Sequence, residues 1–190
     1  MANIDVTASG HLGAREIRVW DPLVRVIHWS VALSVLINSF SDGEQALHHW
    51  VGYIALGLVA IRLIWGLLGT RTARFTAFPP NPAAAVRHLR GMLDGERGVH
   101  LSHNPLCALM VYNIWATIAL LGATGYMMGT MQFFGVEWVE EAHEIAYNWL
   151  VISVVLHVGG VLVDTLRTGV PLVPAMVTGR KRIPEGTEVE

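Results

Sequence analysis

The sequence predicts an all-α integral membrane protein, a four-helix bundle with both termini in the cytoplasm. Three observations predict it. The composition is 53% hydrophobic and only 15% charged, against roughly 25% charged residues in an ordinary soluble domain. Four apolar stretches each come near the ~20 residues a helix needs to cross a bilayer core. Finally, all thirteen Lys and Arg residues fall on one side of those stretches.

The chain divides into an N-terminal segment, residues 1–22, a transmembrane core, 23–165, and a C-terminal tail, 166–190. The first nineteen residues are polar and mixed, with Asp5, Arg15, Glu16 and Arg18. They lack the pattern of a cleaved leader, so the first apolar stretch is expected to stay in the mature protein. The spans are Leu23 to Phe40, Leu47 to Gly69, Pro105 to Met128 and Ala142 to Val163. Helices are the default there, because in lipid each backbone polar group must be paired within its own segment. Spans two and three are joined by a loop, 70–104, that opens on the proline-rich break RFTAFPPNP. Asn81 and Pro82 suit a helix cap and first turn. Val86, Leu89 and Leu93 then share a face, so 82–94 reads as a short helix, either on the membrane surface or loose in solvent. Asn104 and Pro105 repeat the cap signal before span three. The tail GRKRIPEGTEVE is polar and is expected to be mobile.

Charge sets the orientation. Arg15, Arg18 and Arg25 flank the start of span one. Arg62, Arg71, Arg74, Arg87, Arg90 and Arg97 lie at or after the end of span two. Arg167, Arg180, Lys181 and Arg182 follow span four. The other two connections carry Asp42, Glu44, Glu137, Glu140, Glu141 and Glu144 and no cation. By the positive-inside rule, the termini and the central loop are cytoplasmic and the acidic connections face outward.

The histidines carry the chemistry. There are nine, and ionisable groups at membrane depth usually face the bundle interior and mark function. His143 and His157 stand fourteen residues apart on span four, about 21 Å along a helix axis and within about 40° of one face. His28 lies one turn inside span one, at the depth of His157. His48 opens span two, at the depth of His143. The result is two cross-bundle imidazole pairs, one inner and one outer. Such pairs suit two haems b, each held by two axial histidines between helices. Zinc would want three or four ligands converging on one point, and these pairs lie about 20 Å apart. The structural alternative for each histidine is an interhelical hydrogen bond.

Other residues admit two readings. Arg62 stands fourteen residues after His48 and reaches the inner depth, where it either pairs with a haem propionate or snorkels to the interface. His103, beside the inner end of span three, either touches a propionate or quinone or is solvated. His49 points about 100° away from His48, so both cannot easily serve one iron. His11, His88 and His100 lie outside the spans and read as idle. Met127 and Met128 find no vacant axial position. Trp20, Trp29, Trp50, Trp65, Trp138 and Trp149 form an interfacial belt, with Trp29 and Trp50 also next to ligand candidates. Gly52, Gly57, Gly66, Gly122 and Gly125 allow close approach, of helices or of a macrocycle edge. The single cysteine, Cys107, excludes an internal disulfide, a CxxC pair and a CxxCH haem attachment.

With VIHWSV in span one, HHWVGY and IRLIWGL in span two, and the histidine pair of span four, the chain resembles the bacterial cytochrome b561 family. Relatives of that family include the b-type cytochrome subunit of nickel–iron hydrogenases. The resemblance covers most of residues 20–165. It implies four membrane helices, two haems b, and electron transfer between the quinone pool and a partner in the bacterial inner membrane. It makes His28 and His157 the inner ligands and His48 and His143 the outer ones. His48 is preferred to His49 because the family's span-two ligand precedes a glycine by four positions, and Gly52 stands there.

Three functions then compete. One is a quinol-linked oxidoreductase acting alone. Another is the membrane anchor of a larger complex, serving a hydrogenase-like enzyme or a periplasmic c-type cytochrome. The last is a non-redox transporter or scaffold whose histidines merely join helices. The partners expected are membrane lipid, a quinone or quinol and a redox protein, with no nucleic acid. The short connections leave no room for a separate catalytic domain.

Overall fold

The computed structural model describes residues 6–7, 14–43, 45–95, 98–100 and 102–184. Within them, four helices are long and apolar enough to cross a membrane: α1 (Pro22–Phe40), α2 (Ala46–Leu68), α4 (Pro105–Met128) and α5 (Glu137–Thr168). Two shorter helices, α3 (Pro82–Leu93) and α6 (Leu172–Thr178), lie beside the basic connections. Short strands β1 (Val6–Thr7), β2 (Ala14–Arg18) and β3 (Arg180–Pro184) form an antiparallel sheet in the order β1-β2-β3. The end of the bundle that carries the arginines is called the basic end below, and the opposite end the acidic end.

The helix starts follow from local chemistry. Asp21, Asn81 and Asn104 each accept a hydrogen bond from the backbone N–H three residues on, at 2.9, 2.9 and 2.7 Å. Each is followed by a proline, whose missing N–H costs nothing in the first turn. Asp21 does more than cap. Its second carboxylate oxygen accepts from Trp65 Nε1 at 3.0 Å and Thr70 Oγ1 at 2.7 Å, tying the start of α1 to the end of α2. Burial alone would raise its pKa, but these hydrogen bonds outweigh it and hold the carboxyl below its usual range. Helix α5 begins five residues before the expected span and ends five after it. Glu137 and Glu140 in its first turn and Arg167 in its last suit the helix dipole. It stops at Gly169, whose φ of 71° is the left-handed conformation glycine tolerates best.

Close backbone packing runs from α1 to α2, from α2 to α4 and from α4 to α5. Neither α1 nor α2 packs on α5 in that way. At mid-height Ala55, Val59, Ile118 and Leu150 form a small core, with Val31, Val35, Ile114 and Val154 against it. Much of the remaining apolar surface points outward, including Leu33, Leu36, Ile54, Ile61, Val155 and Leu162. A surface of that kind suits lipid and not water. The face shared by Val86, Leu89 and Leu93 on α3 is likewise exposed.

The basic end departs from the sequence expectation. The tail is not loose where it can be described, for residues 180–184 pair with β2; residues 185–190 lie outside the described residues. Burial alternates along β3, with Lys181 and Ile183 turned inward. Ile183 joins Ile17, Val19, Trp20, Val24, Ala73, Val99 and Val170 in a second core. Lys181 Nζ donates to the carbonyls of His100 (3.0 Å) and Ser102 (2.9 Å). Burial pushes this ammonium down to a pKa of about 8. On the outer edge of the strand, Glu16 accepts from Arg182 at 3.0 Å and from Arg180 at 3.2 Å. The sheet thus lids the basic end with segments from both ends of the chain.

Candidate functional site

The four histidines singled out by depth meet as two pairs across the side of the bundle where α5 stands off from α1 and α2. His28 of α1 faces His157 of α5, with ring centres 6.4 Å apart and planes at 53°. His48 of α2 faces His143 of α5, also at 6.4 Å and at 56°. His48 is half-buried, whereas His49 beside it is exposed. The mid-height core of Ala55, Val59, Ile118 and Leu150 separates the two pairs along the bundle.

The spacing discriminates between explanations. Two imidazoles joined directly by a hydrogen bond of about 2.9 Å would bring their ring centres to about 5.2 Å. His88 and His100 are such a pair, with an N···N distance of 3.4 Å and ring centres 5.0 Å apart. The two cross-bundle pairs are 1.4 Å wider than that. A metal–imidazole bond of about 2.05 Å and a ring-centre-to-nitrogen distance of about 1.15 Å put the centres of two opposed ligands about 6.4 Å apart. That separation would accommodate one iron held by two opposed imidazoles. Among the described residues no cluster of three or more His, Cys, Asp or Glu could hold a metal ion, so a site made of protein ligands alone does not compete.

Helix α4 is joined to α5 by hydrogen bonds without a histidine as well as by the Thr124–His143 contact. Asn113 Nδ2 donates to Ser153 Oγ at 2.8 Å, and Trp149 Nε1 donates to Asn113 Oδ1 at 2.9 Å. These join α4 to α5 without using a histidine.

The surroundings of the two pairs differ. At the acidic end, His143 Nδ1 lies 2.8 Å from Thr124 Oγ1 and His48 Nδ1 lies 3.2 Å from Ser41 Oγ. Gly125 packs against the ring of His143, where a Cβ would stand in ordinary contact 3.4 Å from Cε1. At the basic end, His28 Nδ1 is buried without a partner among the described residues. Trp29 meets His28 edge-on at 5.1 Å while keeping nearly half its surface exposed. Trp50 is exposed and touches Tyr53, which fits the interfacial belt.

Arg62 is 4% exposed, so it does not snorkel. One guanidinium nitrogen donates to Ala73 O at 3.0 Å. Its Nη1 is buried and has no partner among the described residues, and neither has the hydroxyl of Tyr112. Phe78 and Trp115 flank the guanidinium, at 5.7 and 5.1 Å from Cζ. Tyr112 packs on the same two rings. His103 completes the cluster, packed 4.6 Å from Phe78 and 4.8 Å from Trp20. Burial, followed by the charges of Lys181 and Arg62, pushes its pKa down to about 3, so it is neutral at physiological pH. Two hydrogen-bond donors without acceptors in one aromatic cage suit an anionic oxygen from a bound group.

Sequence reasoning missed Thr124, Ser41, Tyr112 and Asp21. A hydroxyl three or four residues from a helix end gives no signal until the histidine it meets is placed. His88 and His100, read as idle, face each other outside the spans. His11 lies outside the described residues. Cys107 is a half-buried free thiol.

The family model for prokaryotic cytochrome b561 matches residues 19–179. No curated protein and no solved structure matches the chain. The match spans nearly the whole chain, and the protein belongs to the prokaryotic cytochrome b561 family. Membership implies a membrane protein that binds b-type haem and transfers electrons.

Proposed function

From that membership, we propose that the chain moves electrons across the bacterial inner membrane through two haems b, each held by two histidines. The termini and the loop 70–104 are cytoplasmic, the core 23–165 holds the cofactors, and the basic end is the inner end. His28 and His157 hold the inner haem; His48 and His143 hold the outer one. The observation that carries this reading is the common 6.4 Å spacing of the two ring pairs. When bound, haem iron supplies reversible one-electron chemistry.

The chain's own residues do the rest. Helix α5 contributes one ligand at each depth and so fixes the distance between the two centres. Ala55, Val59, Ile118 and Leu150 exclude water from the gap between them. Arg62, with its free Nη1, pairs with a propionate of the inner haem, and the neutral His103 packs beside it. An open groove of about 400 Å³ is lined by Pro22, Arg25, Val26, Trp29, Ser30 and Val177, and Trp29 meets His28 edge-on. The groove offers a quinone a place at the inner surface, within reach of Trp29 and its contact with His28. The acidic first turns of α5, with Glu137, Glu140, Glu141 and Glu144, suit a basic electron-transfer partner.

The purified protein should show a b-type reduced-minus-oxidised spectrum and two haems per chain by pyridine haemochrome assay. Reduction by a quinol alone would identify a self-sufficient quinol oxidoreductase; reduction only after a partner is added would identify the anchor of a larger complex. A colourless protein would leave the transporter or scaffold reading.

A further inference from the structure

The two histidine pairs share a spacing but not a hydrogen-bonding environment, and Thr124 is the sharpest difference. Its hydroxyl lies 2.8 Å from His143 Nδ1. The same hydroxyl lies 2.9 Å from the carbonyl of Leu120 and 3.2 Å from that of Leu121. A hydroxyl has one hydrogen to donate. On a helix, threonine commonly gives that hydrogen to the carbonyl one turn back. The oxygen then has a lone pair left for the imidazole, and His143 Nδ1 must carry the proton. Ser41 repeats the pattern more weakly, donating to Asn38 O at 3.3 Å and meeting His48 Nδ1 at 3.2 Å. The opposite assignment would put a hydrogen on Nε2 of each ring and leave that nitrogen unable to bind iron. His28 Nδ1 has no such acceptor among the described residues.

We propose that Thr124, seconded by Ser41, is a positioning residue that fixes the outer pair with Nδ1 protonated and Nε2 free to bind iron, and so lowers the potential of the outer haem. The inference rests on the two-haem reading above. An imidazole that donates from Nδ1 becomes a stronger electron donor at Nε2, which favours the oxidised metal. The inner pair lacks this push at His28, so the hydroxyl effect is expected at the outer centre alone.

The experiment is a spectroelectrochemical titration of purified holoprotein, wild type, Thr124→Val, Thr124→Ser and Ser41→Ala, with haem per chain measured on each. The outer component is identified as the one that His143→Ala removes. Thr124→Val should keep two haems, raise the midpoint of the outer component and leave the inner one unmoved. Thr124→Ser should return the outer midpoint to the wild-type value, and Ser41→Ala should raise it by less than Thr124→Val does. Loss of the outer haem in the valine variant with recovery in the serine variant would support the same role. An outer midpoint unmoved in Thr124→Val, or both midpoints moved together, would overturn it. So would loss of the outer haem in Thr124→Val and Thr124→Ser alike. A wild-type protein without two haems would instead remove the reading beneath it, which the haem count reports separately.

Discussion

The two ends of the bundle reach the same ring spacing by different means. At the acidic end, His48 and His143 are steered by hydroxyls from Ser41 and Thr124, with short connections and little else around them. At the basic end, the bundle also carries a second core built from β2, β3, α6 and the loop before α4, and a buried arginine in an aromatic cage. A small set of local contacts accompanies the half-buried rings at the acidic end. Where a cation is taken out of water, the chain adds a folded lid and an aromatic cage. The comparison separates what a ligand pair needs, which is spacing, from what its surroundings add, which is protonation, charge and shielding.

The largest effects should break one end and spare the other. His157→Ala should remove only the inner haem, and His143→Ala only the outer one, each leaving one haem per chain by haemochrome assay. Next in size is Arg62→Met. If Nη1 pairs with a propionate, a charge-assisted hydrogen bond worth about 2 kcal/mol is lost. The inner haem should then leave for a haem-free acceptor with roughly thirtyfold weaker binding, while the outer one is held as before.

Asp21 sharpens the comparison at the lid. Asp21→Ala removes the cap of α1 and its bonds to Trp65 and Thr70, and should cost about 1–2 kcal/mol in thermal or denaturant unfolding. The sign with pH follows from its lowered pKa. The ionised carboxylate stabilises the fold above the unfolded-state value near 3.8, and that contribution is lost as pH falls through the lower folded value. Asp21→Asn does not titrate, so its stability should fall less than the wild type's below about pH 4, read from parallel melts. The smallest effect belongs to His49→Ala, which removes an exposed ring and should leave both haems in place and stability within about 0.5 kcal/mol. Loss of the outer haem in that variant would reassign the ligand from His48.

The spans and the facing of the histidine pairs were legible because both obey the helix repeat. Apolar runs of about twenty residues and histidines fourteen apart on one helix translate directly into depth and facing. Asn81 and Asn104 were legible for a similar reason, since a cap is read from its own next three residues. The lid was not. Its strands pair Glu16 with Arg182 and Ile17 with Lys181, contacts between opposite ends of the chain that no local pattern encodes. The tail GRKRIPEGTEVE reads as polar because Lys181 is counted as a solvated charge, whereas its ammonium finds two carbonyls inside. Arg62 was read two ways for want of the same information, and its burial decides against the lipid interface. Thr124 and Tyr112 look like ordinary residues of an apolar helix until the ring or the cage they face is in view.

Iron anomalous scattering from crystals of the purified protein tests the central claim most directly. Two peaks per chain are expected, one between the rings of His28 and His157 and one between those of His48 and His143. A single peak, or iron lying off the line joining either pair, would contradict it.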